Sequence, residues 1–278
     1  MKSDLPESQA QSLLRLSKDK PLSIVLGGGG VRGMAHVGLL ESLIEREFRI
    51  AEMIGTSVGA LIISFYAAVG LSLSEIRELG LNLTSRHLLA WAWLRRAPKS
   101  IQLRFENRAG IIPTSLRRLA ETSGRQLHHG VERIGLLCYE RTTRSEIIFT
   151  NTQEQFPLED ATRGAAAIPG LFPPRQCVIE GRPLRLVDGG VTNCLPVDKL
   201  FEPPFMPEQI LVVDIASHNR QREENRRKVD ALEARHAGVP IVVVSPDTIG
   251  KGTVIYQRRD LQRLIDAGRR AILPAIPK

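Results

Sequence analysis

Cysteine is scarce: three in 278 residues, with Cys138, Cys177 and Cys194 far apart and no CxxC among them. That excludes a disulfide-stapled scaffold, and no second Cys or His stands at metal-ligand spacing to mark a zinc site. Free thiols fit a reducing compartment, so the expected location is cytoplasmic. Aromatic residues are also few, 5% of the chain, and both tryptophans, Trp91 and Trp93, fall in one short stretch. No internal repeat or low-complexity tract is present, and residues 1–20 lack the cationic start and apolar run of a secretory signal. Charge is missing from Met53 to Ser74, a length that meets the threshold for a transmembrane helix. Gly55, Gly59 and Gly70 interrupt it, and Gly55-Thr56-Ser57 reads as a turn. The expectation is a short buried strand, a sharp turn and a buried helix.

What is present is ordinary globular composition, 42% hydrophobic and 24% charged. This excludes a disordered or collagen-like chain, and the length suffices for a sizeable core. Lys and Arg exceed Asp and Glu by 38 to 30, a formal charge of +8. Such a field suits anionic partners without choosing among nucleic acid, phospholipid headgroups and acidic substrates.

Apolar blocks place strands at Ser23–Leu26, Ile50–Ile54, Leu184–Val187, Ile210–Ala216 and Ile241–Ser245. Ile134–Tyr139 and Glu146–Thr150 read as a hairpin. Helical spacing runs from Val31 to Glu45, with Val37, Leu40, Leu43 and Ile44 on one face. A second helix is expected over Val58–Val69, and Ser72-Leu73-Ser74-Glu75 has capping-box spacing. Gln221–Arg235 reads as a solvated rim helix, Ser8–Leu16 as an amphipathic turn or two, and residues 202–207 as a proline-rich loop. Continuous apolar strands alternating with helices mark a mostly parallel sheet covered on both faces, an α/β three-layer sandwich.

Three motifs carry chemistry. Gly27-Gly28-Gly29-Gly30-Val31-Arg32-Gly33 follows a strand and precedes a helix. Its amides, at a helix N-terminus, can hold a phosphate or a developing oxyanion. Gly28, Gly30 and Gly33 also satisfy G-x-G-x-x-G, and Glu52 stands where a ribose-binding acid is expected, so a dinucleotide-binding oxidoreductase remains a rival reading. Gly55-Thr56-Ser57-Val58-Gly59 is G-x-S-x-G between a strand and a helix, the context of a nucleophile elbow. Asp188-Gly189-Gly190 closes a strand, where α/β active sites are built.

In this order the motifs resemble the patatin-like phospholipase family. Between the last two lies Arg163-Gly164-Ala165-Ala166-Ala167-Ile168-Pro169-Gly170-Leu171-Phe172-Pro173-Pro174, similar to the family's R-A-S-x-A-x-P-x-x-F-x-P block. Gly164 and Ala165 depart from it, Ala165 standing where the family carries Ser. The resemblance covers Ile24 to Leu200. It implies a Ser57–Asp188 dyad, with Ser57 as nucleophile and Asp188 as its base. It also implies an oxyanion hole from the N–H groups of Gly28, Gly29 and Gly30, with Arg32 adding positive field. Gly33, Gly55, Gly59, Gly189 and Gly190 support the motifs. The implied substrate is a lipid ester with a fatty acyl chain, with no cofactor, no metal and no nucleic-acid partner. Residues 1–22 form an extension, 23–201 the catalytic domain, and 202–278 the strands and helices that complete the same domain.

Chain order leaves a triad through His218 or His236 open. His36 reads as support for the glycine loop, and His128 and His129 as loop residues. Thr84–Arg108 sets Trp91, Trp93 and Phe105 among Arg86, Arg95, Arg96, Lys99, Arg104 and Arg108, with Glu106 the only acid. This fits a lid or a surface that meets anionic membrane, with peripheral contact at its inner face. A catalytically silent lipid-binding module is the remaining alternative. Oligomeric state is left open.

Overall fold

The computed structural model describes residues 15–94, 96–98, 100–101, 111–250 and 252–272. Of the expected features, most of the Ser8–Leu16 turn lies outside these residues, as do Arg95, Lys99, Arg104, Phe105, Glu106 and Arg108.

A central sheet organises the chain. Strands β1 (Leu22–Leu26), β2 (Ile50–Thr56), β3 (Arg133–Glu140), β7 (Ile210–Val213) and β8 (Ile241–Val244) run parallel, in the order β3-β2-β1-β7-β8. Strands β4 (Ser145–Thr150) and β6 (Arg182–Asp188) pair antiparallel to β3, and β5 (Arg175–Ile179) pairs antiparallel to β6. The two strands beyond residue 202 thus join the sheet of the first 201 residues through β1 and β7.

The apolar strands alternate between two cores. Ile24, Leu26, Leu211, Val213, Val242 and Val244 face one; Val25, Ile210, Val212, Ile241 and Val243 face the other. A period of two with apolar residues on both phases buries both faces of the sheet. The first face is covered by α1 (Met34–Glu45), α2 (Val58–Ile63, continued as a π-helical turn over Ser64–Ala68) and the C-terminal α8 (Arg258–Arg270). The second is covered by α7 (Asn219–Arg235), through Val229 and Leu232, and by the loops around Val197 and Phe205. The expected three-layer α/β architecture is therefore the observed one. Met53–Ser74 forms strand, turn and helix, and among the described residues no helix is long and apolar enough to cross a membrane.

Between α2 and β3 the described residues form a cap that includes helices α3 (Leu73–Asn82), α4 (Ser85–Leu94) and α5 (Ile111–Glu121). The Ser72–Glu75 capping box starts α3: the Glu75 N–H donates to Ser72 Oγ at 3.2 Å and the Ser72 N–H to Glu75 Oε2 at 2.9 Å. The proline-rich loop is confirmed, with Phe205 buried beneath it. Ile44, expected on the buried face of α1, is 43% exposed. Residues Met34–Leu40, Ser42 and Leu43 of α1 are buried, and α8 lies across the helix.

That crossing depends on two glycines. A Cβ on Gly38 would fall 1.9 Å from the Ile265 carbonyl oxygen, and one on Gly268 would fall 1.9 Å from that of Ala35. Neither neighbour is a flexible side-chain tip, so the helices must separate to admit a methyl. Gly38→Ala is expected to destabilise the fold by about 3 kcal/mol, read from the urea midpoint at unchanged slope. A change under about 0.5 kcal/mol, the size of an ordinary surface effect, would contradict the packing account.

Candidate active site

Register on β3 brings the distant motifs together. β4 takes one edge of β3 over Gly135–Glu140. On the other edge β2 pairs as far as Thr56 opposite Leu137, and β6 takes over with Asp188 opposite Cys138. The residue that ends β2 and the carboxylate that ends β6 thus sit against consecutive residues of β3. Ser57 follows Thr56 directly, which places its side chain beside the Asp188 carboxylate, where its hydroxyl acts to lower the Asp188 pKa.

Ser57 has φ 54° and ψ −127°, a region that L-residues avoid. Holding it there costs about 1–3 kcal/mol. The turn is enforced by close packing: a Cβ on Gly59 would lie 2.1 Å from the Leu26 carbonyl oxygen, so α2 starts flush against the end of β1. Gly55 packs against the first turn of α2, Gly33 against Val58 and Gly189 against the Leu137 carbonyl.

Asp188 is buried, and burial raises its pKa. The Ser57 hydroxyl and the Gly190 N–H, which donates to Oδ1 at 2.8 Å, act in the opposite direction. The net shift is upward, toward a carboxyl that is a stronger base than an exposed one. The Asp188 N–H donates to the Ala167 carbonyl at 3.1 Å, so the Arg163–Pro174 block, which begins in helix α6 (Leu158–Ala165), fixes the backbone of the acid. The block's departure at Ala165 removes nothing from that contact, which uses only main-chain atoms.

The glycine loop needs one correction. Gly28 was expected as an oxyanion donor, but its N–H donates to the Cys194 carbonyl at 2.9 Å. The Gly27 N–H is similarly engaged with Val213, and that of Val31 with Thr253. Among the described residues the N–H groups of Gly29 and Gly30 have no acceptor, so the loop offers two donors. Arg32 is buried, and its Nε donates to the Ile215 carbonyl at 2.9 Å and its Nη1 to Thr253 Oγ1 at 3.1 Å. Burial lowers its pKa, with Asp214 and Cys194 acting to raise it.

Two cavities meet at Ser57. One, about 320 Å³, is apolar and runs beneath the cap between α2, α3, α4 and α5, lined by Leu61, Phe65, Leu79, Trp91 and Leu116 among others. The other, about 240 Å³, is lined by Asp188, Arg32, Gly190, Cys194 and the glycine loop. Gly30, Ser57, Ile168 and Thr253 border both.

No histidine lines either cavity among the described residues. His218 and His236 stand at the two ends of α7, where His236 stacks on Phe201 at 3.7 Å. His128 and His129 lie in the loop before β3, His129 stacked on Tyr66. His36 is fully buried behind the glycine loop, with Nε2 2.8 Å from the Gly27 carbonyl. A carbonyl only accepts, so Nε2 carries the proton. Burial lowers the His36 pKa to about 4 and keeps the ring neutral.

The dinucleotide reading fails on two positions. Glu52 lies toward the start of β2, four residues and roughly 13 Å from the strand's end at Thr56. It is engaged with Ser23, Arg133 and the Met206 N–H. The space above Gly30 that a pyrophosphate would need holds Thr253 instead.

The patatin-like phospholipase family profile matches residues 24–201. An uncharacterized NTE family protein of Mycobacterium tuberculosis is 30% identical over 187 residues, 66% of this chain and 46% of that protein. The uncharacterized protein YqhO of Bacillus subtilis is 26% identical, covering 76% of this chain and 81% of its own. The chain thus spans less than half the length of that NTE family relative. Among solved structures, human GIVD cytosolic phospholipase A2 superposes with a TM-score of 0.56 at 10% identity, covering 96% of this chain and 63% of the other. VipD of Legionella pneumophila gives 0.52 at 13%, covering 92% and 66%. At such identities these two speak to the fold alone.

Proposed function

Since the chain belongs to the patatin-like phospholipase family, we propose that it hydrolyses lipid acyl esters through Ser57 and Asp188, without a histidine. The observation that carries this reading is the meeting of two cavities, one apolar and one bordered by Asp188, Arg32 and the glycine loop, at a strained serine beside a buried carboxylate. The fatty acyl chain occupies the apolar cavity and the ester carbonyl lies over Ser57. Asp188 takes the hydroxyl proton as Oγ attacks the carbonyl carbon, and the oxyanion is met by the Gly29 and Gly30 amides. Asp188 then returns the proton to the leaving alkoxide, whose headgroup side faces the second cavity and Arg32. Water then attacks the acyl carbon as Asp188 takes its proton, the bond to Ser57 Oγ breaks to release the acid, and Asp188 returns the proton to Ser57.

A carboxylate is a weak base for a serine hydroxyl. The upward shift of Asp188 narrows that gap, and the two preorganised amides supply the rest by stabilising charge as it forms. The test is release of fatty acid from a phospholipid or lysophospholipid by the purified protein. Binding of these lipids with no release would sustain the silent-module alternative instead.

The substrate is presented at a membrane surface by α4. Its inner residues Leu88 and Trp91 line the apolar cavity. Its outer stripe carries Leu89 and Trp93, 48% and 71% exposed, flanked by Arg86 and Arg96. An apolar stripe bounded by cations fits the interface of an anionic bilayer. Leu89→Ala/Trp93→Ala is expected to weaken sedimentation with phosphatidylglycerol vesicles at least about tenfold. Turnover of a soluble short-chain ester should stay within about twofold of wild type, since neither residue reaches the cavity. Unchanged vesicle binding would remove α4 from the membrane face.

A further inference from the structure

Four consecutive glycines have more backbone freedom than any other sequence of that length. The geometry of residues 27–30 must therefore be imposed from outside. The Val213 carbonyl, His36 and the Cys194 carbonyl hold its first half. The second half, which carries both free amides, is held by a segment that follows β8 and lies beyond the family match.

In this segment the Thr253 carbonyl accepts the Val31 N–H at 2.9 Å, and Thr253 Oγ1 accepts from Arg32 Nη1. Gly30 has φ +57°, and a Cβ there would lie 2.2 Å from the Thr253 carbonyl oxygen and 2.6 Å from its methyl. On the other side, a Cβ on Gly29 would lie 2.7 Å from Ile215 Cδ1 and 3.2 Å from Arg32 Nε. The two glycines are therefore gripped between Thr253 and the Ile215–Arg32 pair. The segment itself is tied at both ends. The Gly250 N–H donates to the Ser217 carbonyl at 3.1 Å, while Tyr256 reaches the cap, its hydroxyl donating to the Leu83 carbonyl at 2.8 Å and its N–H to Ser85 Oγ at 3.1 Å.

We propose that Thr253 is a positioning residue for the oxyanion loop. Through Val31, Arg32 and Gly30 it aims the Gly29 and Gly30 amides at the position the oxyanion will occupy. This rests on the acyl hydrolase reading above and adds to it a part supplied from outside residues 24–201. Donors fixed before the reaction begins stabilise developing charge without reorganising, so loosening the clamp raises the barrier and leaves ground-state binding intact.

The experiment measures kcat and KM on a soluble nitrophenyl ester for wild type, Thr253→Ala, Thr253→Val and Thr253→Ser, each checked for folding by its melting temperature. Thr253→Ala is expected to lower kcat about 10- to 100-fold, the scale of a misaligned catalytic group, with KM within about threefold. Thr253→Ser, which keeps the acceptor for Arg32, should return to within about threefold of wild type, and Thr253→Val, which keeps only the shape, should not. Affinity for an acyl trifluoromethyl ketone, whose hemiketal mimics the oxyanion, should fall by the same factor as kcat/KM, while that for an unreactive ether analogue holds. A folded Thr253→Ala or Thr253→Val with kcat within about twofold of wild type overturns the proposal, as does a loss carried by KM alone. If Ser57→Ala retains turnover, or wild type has none, the hydrolase reading fails first and this inference with it.

Discussion

Ser57→Ala is expected to lower kcat on the order of 10⁵-fold or more, since removing a nucleophile leaves only the contribution of binding and the oxyanion donors. Ser57→Gly is expected to be equally inactive and also more stable. At φ 54° and ψ −127° the serine is held in a conformation that glycine adopts freely, and relief of that strain is worth about 1–3 kcal/mol. Thermal melts of the two variants separate the effects. Alanine keeps the strain and should melt near wild type; glycine should melt several degrees higher. A glycine variant that melts at or below wild type would show that the elbow stores no strain at Ser57.

Asp188→Asn is expected to reduce kcat on the order of 10⁴-fold, because asparagine keeps the hydrogen bond from Gly190 but cannot accept the serine proton. In wild type, kcat/KM should rise with pH as Asp188 ionises, with its acid limb above the usual carboxylate range, since burial raises the pKa. Stability should move the other way. A carboxyl with a folded-state pKa above its unfolded value binds protons more tightly when folded. The folded state therefore loses stability as pH rises from the unfolded value through the folded one. Asp188→Asn removes that loss. The variant should melt above wild type at neutral pH and lose this advantage below the ordinary carboxylate pKa. An activity limb at or below the ordinary value, or an advantage that grows toward acid, would show that burial does not govern this group.

The parts of the site that could be read from the sequence are those whose chemistry is local. Gly55–Gly59 is legible because strand, turn and helix lie within a dozen residues, and the continuous apolar blocks name β1, β2, β7 and β8 directly. The hole was harder. Gly28 looks like its neighbours in sequence, and only the Cys194 carbonyl, brought in by the Asp188–Cys194 turn, removes its amide from service. The partner edge of Asp188 depended on β6 taking over from β2 along β3, a register that no local pattern encodes. The edge strand β5 was missed for lack of a continuous apolar run, since Arg175, Gln176 and Cys177 open it. Helix α8 was missed because its mean hydropathy is low, although Leu261, Leu264 and Ile265 seal the face of α1. Thr253 carries no motif at all, and its role arises entirely from where the chain returns after β8. Chain order alone left His218 and His236 open as triad members, and only the fold places them at the two ends of α7, lining neither cavity.

A single labelling experiment bears on the catalytic assignment most directly. Wild type, Asp188→Asn and a His218→Ala/His236→Ala double variant are incubated with an alkyl fluorophosphonate, and the rate and site of adduct formation are followed by mass spectrometry. One adduct, on the peptide containing Ser57, should form at equal rates in wild type and the double variant and fail to form in Asp188→Asn. Capture of Asp188→Asn at the wild-type rate, or loss of capture in a folded double variant, would contradict a serine activated by Asp188 alone.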